Sequence, residues 1–166
     1  MDLTAFYATI SGVGFTLLGL WWVVVDKHPE WFSSRVTAQM AYVVSLQFML
    51  PAATSVLSMV APAQPLVWRV VFALMGLVGM GATVLVARSI PRGMRRSARL
   101  ALVVGAPVYA AVILVAVFPS IAAPLGFSGL QTEAFLIALI LLLGLHAVWF
   151  FTYRAGPDTS IPEGRG

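Results

Sequence analysis

The chain has 166 residues, 60% of them hydrophobic and only 10% charged, with 10 basic and 6 acidic side chains. An ordinary soluble domain is about 45–50% apolar and about 25% charged. So few charges cannot coat a globule of this size, and the composition excludes both a soluble domain and a disordered chain.

Five apolar runs follow in order, at residues 3–25, 37–60, 67–87, 100–118 and 134–153. A helix rises about 1.5 Å per residue and the hydrocarbon core is about 30 Å thick, so about 20 residues make a crossing. The expected fold class is therefore an all-α integral membrane protein with five transmembrane helices in one domain, residues 1–154. The segments are continuous, as in LIALILLLGL, where a β-barrel needs short alternating strands. The first run carries no basic leader and ends in Trp21, Trp22 and three valines, so it reads as a retained helix rather than a cleaved signal.

Charge placement gives an orientation. Lys27, Arg35, Arg88, Arg92, Arg95, Arg96, Arg99, Arg154 and Arg165 fall on one side of five spans, and Arg69 alone falls on the other. Basic loops stay cytoplasmic, which puts the N-terminus outside and the C-terminus inside. The expected location is the cell (inner) membrane. The net charge of +4 then reads as a topology signal, with no nucleic-acid partner implied. Tyr7, Trp21, Trp22, Trp31, Phe32, Trp68, Trp149 and Tyr153 lie near the ends of spans, where amphipathic rings anchor at headgroup level. The connector 119–132 is uncharged and unusually apolar. The tail 155–166, rich in Gly and Pro, is expected to be a flexible cytoplasmic segment.

Three polar features stand out within the spans. In the first, Ala5, Thr9, Gly12, Thr16 and Gly19 recur at spacings of four and three. They form a stripe of small residues that lets backbones approach. Its occupant could be a helix of the same chain, another subunit or a pore. In the second, Gln47, Pro51, Thr54 and Ser58 share a stripe, with a kink expected at Pro51. In the third, Gly76, Gly79 and Gly81 favour close packing. His146 is the sole ionisable group placed well within the fifth span, open to a polar contact, a relay or ligation. Glu133 lies at the start of that helix. It reads as a dipole-favoured cap, or as part of a charged outer mouth, with Arg69 as a candidate partner. Arg92, Arg95, Arg96 and Arg99 are candidates for anionic lipid headgroups.

Several chemistries are excluded at this level. There is no cysteine, no cluster of carboxylates and histidines for a metal, no phosphate loop and no nucleophile motif. No cofactor, metal or catalytic residue is expected, and the chain is not expected to be an enzyme. The leading expectation is an oligomeric channel or small transport protein. Its wall would draw on Thr9, Gly12, Thr16, Gln47, Thr54 and Ser58, with His146 as a further candidate. The alternatives are a non-conducting accessory or scaffold subunit of a larger membrane complex, or an anionic-lipid-binding protein. The expected partners are the bilayer and either further copies of the chain or another membrane protein.

Overall fold

The structure, a computed structural model, describes residues 2–60, 64–89 and 95–154, leaving out the side chains of 95–103, 125, 150, 151, 153 and 154. The described residues form five α-helices: α1 Leu3–Asp26, α2 Arg35–Val60, α3 Pro65–Ser89, α4 Arg95–Val117 and α5 Gly129–Arg154. Among the described residues there are no strands. Among the described residues four helices are long and apolar enough to cross a membrane, and the described side chains of α4 continue an apolar stretch over Val104–Val117. The protein is thus an all-helical bundle suited to a membrane.

Local chemistry sets the helix ends. Asp2 caps α1, its carboxylate accepting from the amides of Thr4 and Ala5 at 2.9 and 3.2 Å. Ser128 and Gln131 form a reciprocal capping box at α5. The Gln131 amide donates to Ser128 Oγ at 3.2 Å, and the Ser128 amide donates to Gln131 Oε1 at 2.8 Å. The two connectors expected to be loops each contain a 3-10 helix, Pro29–Ser33 and Pro119–Leu125, both opened by the preset φ of proline. Gly126 closes the second with φ 74°, a left-handed turn that glycine adopts without strain. Pro51 lies inside α2 and Pro107 inside α4, and neither ends its helix.

Helix packing is set by glycines and by one polar helix. α1 and α2 run antiparallel: Gly14 lies against Ala52 and the Phe48 carbonyl, and Trp21 lies against Ala41 and Ser45. α3 and α4 form a second antiparallel pair. Gly76 and Gly79 make room there for Ile113 and the ring of Tyr109. Gly81 meets nothing and takes no part. α5 closes the bundle against α1, α2 and α4, with Gly144 admitting Phe48 and Gln47. α2 touches α1, α3 and α5 and is the most buried of the four long apolar helices. It is also the most polar span, and burial keeps its polar groups from lipid.

Two apolar cores result. One joins Tyr7, Trp68, Phe72, Met75, Tyr109 and Ile137 near the N-terminal end of α1. The other joins Trp21, Val25, Trp31, Val44, Phe48 and Leu141 near its C-terminal end. The aromatic residues at the helix ends therefore divide into two groups. Trp22, Phe32 and Trp149 are exposed, as anchors would be. Tyr7, Trp21, Trp31 and Trp68 face protein instead, because the bundle needs their volume.

Candidate functional site

The helix faces singled out in the sequence do not come together. On α1 the buried stripe is Tyr7, Ser11, Gly14, Trp21 and Val25. The small-residue stripe lies on the opposite side: Ala5, Thr9, Gly12, Thr16 and Gly19 are all exposed. A β-carbon placed on Gly12 or Gly19 would meet nothing within 4 Å. The Thr9 and Thr16 hydroxyls donate back to the carbonyls of Ala5 and Gly12, at 2.9 and 2.8 Å. Of the three occupants considered for this stripe, a helix of the same chain is not the one found. Among the described residues nothing covers this face.

The polar stripe of α2 points inward. Thr54 and Ser58 are buried, Pro51 with them, and Gln47 is half-buried at the contact with Gly144 of α5. Ser45, Thr54, Ser55 and Ser58 each donate to the carbonyl four residues earlier. These bonds neutralise the hydroxyl protons within the helix itself. The Gln47 Oε1 is buried and has no hydrogen-bond partner among the described residues. A wall made of α1 and α2 polar faces together is therefore not formed within one chain. A small, almost wholly apolar hollow of about 90 Å³ lies where Trp22, Val25 and Phe32 approach Ala41 and Tyr42. It offers nothing to a solvated ion.

On α5, Glu133 and His146 exchange the positions expected of them. His146 is exposed on the outside of the bundle, and its Nδ1 lies 2.8 Å from the Leu142 carbonyl. Glu133 is fully buried, with both carboxyl oxygens lacking a hydrogen-bond partner among the described residues. The cap of α5 is Ser128, five residues earlier, so Glu133 sits one turn further in than a cap. Arg69 does not pair with it. The guanidinium instead donates to the carbonyls of Ala116 and Val117, at 2.8 and 2.6 Å, and closes the end of α4. Sequence reasoning missed Tyr7, whose hydroxyl donates to the Leu130 carbonyl at 2.8 Å and which lies within electrostatic reach of Glu133. The spacing of Tyr7, Ser11, Gly14, Trp21 and Val25 carried that signal, because it repeats the three-and-four pattern of a packed helix.

The connection between α1 and α2 holds a second ordered cluster. The His28 ring stacks on Trp31 with centroids 4.5 Å apart, and Trp31 stacks on Trp21 at 5.8 Å. Trp21 Nε1 donates to the Ala41 carbonyl and to Ser45 Oγ, both at 3.2 Å. His28 Nδ1 lies 2.7 Å from Glu30 Oε1. This hydrogen bond from His28 holds the exposed Glu30 carboxyl below the ordinary carboxylate range. Among the described residues no group of three acids or histidines converges on a metal position. Arg92 and the tail 155–166 lie outside the described residues. Arg95, Arg96 and Arg99 belong to the first turns of α4.

No protein-family model matches the chain, and no curated protein or solved structure matches it. The functional reading rests on its own geometry.

Proposed function

We propose that the protein is a subunit of a membrane assembly, joined to further copies or to a partner subunit through the small-residue face of α1. The observation that carries this reading is the open stripe from Ala5 to Gly19, with space around Gly12 and Gly19. Between helices in lipid, association is driven by close packing and by hydrogen bonds rather than by the hydrophobic effect. A smooth face of Gly, Ala and Thr allows that approach, whereas the bulky exposed residues Leu20, Val23 and Leu74 elsewhere suit lipid. The chain sits in the cell membrane with its N-terminus outside, in the orientation that gathers nine of ten basic residues on the cytoplasmic face. It acts without catalysis.

A permeation role rests on the same face. The Thr9 and Thr16 hydroxyls spend their protons on their own helix and leave oxygen lone pairs outward. In a ring of copies these oxygens and Gly12 would line the axis, selecting by hydroxyl and carbonyl groups rather than by fixed charge. α2 contributes support rather than wall. A lipid-headgroup role for Arg95, Arg96 and Arg99 is a third reading. Three cations open α4, where the helix dipole favours anions, so a phosphate bound there would relieve the conflict.

The test is the mass of the purified protein in mild detergent. The wild type is expected to run as a defined oligomer or a stoichiometric complex, and Gly12→Leu or Thr16→Leu is expected to dissociate it. A lone monomer, or an assembly indifferent to both substitutions, would overturn the reading. Ion flux in liposomes from the homo-oligomer separates conduction from scaffolding.

A further inference from the structure

We propose that Glu133 is a proton-binding site inside the bundle: its carboxyl is held as the neutral acid, fully enclosed within the packed helices. Three observations converge on it. First, Glu133 is 0% exposed, and neither carboxyl oxygen has a hydrogen-bond partner among the described residues. Secondly, the cation at this level is engaged elsewhere. Arg69 is held on the Ala116 and Val117 carbonyls, so it does not balance a carboxylate. Thirdly, the surroundings are apolar. Ala134 and Ile137 follow it into the core that holds Tyr7, Trp68 and Phe72.

An ionised carboxylate left unpaired in such surroundings is far costlier than a neutral group, and buried acids resolve this by taking up a proton. The capping box joins Ser128 and Gln131, so the amide groups at the start of α5 lie about one turn before Glu133 rather than on its carboxyl.

The groups facing the site from each packed element bear this out. α1 presents Tyr7, whose proton is given to the Leu130 carbonyl and which is a neutral neighbour. On α3, Trp68 lies against Gly129 one turn before Glu133, and Arg69 is bonded to α4. On α4, Tyr109 lies against Gly79, about 15 Å deeper along α3 than Arg69. Gly144 sits opposite Gln47 and Phe48, and counting residue for residue along the antiparallel pair brings Glu133 level with Ser58 of α2. Ser58 spends its proton on Thr54. No titratable group of α2 lies there.

The ligand is a proton rather than a metal ion. A metal ion needs several ligands converging on one point, and among the described residues no group of three acids, histidines or cysteines forms. A proton needs one carboxyl oxygen and converts a charge of −1 to zero. This site stands apart from the outer face of α1 and does not depend on the assembly reading.

Infrared difference spectroscopy on the full-length protein in lipid vesicles tests it directly. At neutral pH the wild type is expected to show the C=O stretch of a protonated carboxylic acid, and the Glu133 variants assign that band. Glu133→Gln should lose that band, and Glu133→Asp should shift it, which serves if the Gln variant does not fold. A wild-type spectrum with carboxylate bands alone would overturn the proposal. So would a protonated band that persists unchanged in either variant.

Discussion

Gly14→Ala and Gly12→Ala are chemically identical changes two residues apart on α1, and the structure expects opposite outcomes. A β-carbon at Gly14 would lie 2.9 Å from the Ala52 Cβ and 3.2 Å from the Phe48 carbonyl oxygen. Ordinary contact between carbon atoms is about 3.5–4.0 Å, so α1 and α2 would have to part by roughly 0.6–1.1 Å. Two helices packed along their length cannot separate at one point without loosening neighbouring contacts, Trp21 with Ser45 among them. Overpacking of this kind costs about 1–3 kcal/mol. Even one or two kcal/mol lowers the folded-to-unfolded ratio by a factor of roughly 5–30. Gly12 faces open space, so alanine there adds no clash and reduces chain entropy in the unfolded state, a gain of up to about 1 kcal/mol. Reversible unfolding in mixed micelles, followed by tryptophan fluorescence in a detergent that keeps the protein monomeric, reads both variants. Equal stability of the two, or a larger loss for Gly12→Ala, would refute the assignment of the buried and open faces of α1.

Other substitutions probe the remaining contacts. Arg69→Met keeps an apolar stem but removes both bonds to the end of α4, and should cost about 1.5–3 kcal/mol, the range for hydrogen bonds to a charged group, in the same unfolding assay. Trp21→Phe keeps the stacked ring but removes the donor to Ala41 and Ser45. It should cost about 1 kcal/mol, with Ser45 still satisfied on its own helix. Gly79→Ala should displace the Tyr109 ring and destabilise the α3–α4 pair, whereas Gly81→Ala should be neutral to within about 0.5 kcal/mol, as for surface changes; thermal unfolding distinguishes them. The Glu30 carboxyl is held low by His28, so its contribution is present above the unfolded-state value and fades as pH falls through the lowered folded value. Carbon-detected NMR titration of Glu30 should show that value rising toward the ordinary range in His28→Gln.

The sequence by itself determined what depends on local composition. Helix class and helix positions follow from runs of apolar residues long enough to cross a bilayer, and the connectors follow from Pro, Gly and charge, so five helices in this order were legible. Within α1, however, two stripes share the same three-and-four spacing, one of small residues and one built on Tyr7, Gly14 and Trp21. Periodicity shows that each is a face, and only a partner helix decides which is buried. The same holds on α5. Glu133 lies near the helix end and His146 well within it, which suggests an accessible acid and an enclosed histidine. Tertiary packing reverses this, because α5 turns Glu133 into the bundle and His146 toward the outside. Depth along a helix is a property of the chain, whereas radial position is set by which neighbours fill the space. For that reason the polar residues of α2 form a sealed interior support, the small face of α1 stands open, and a carboxyl is buried in a bundle whose sequence suggested none.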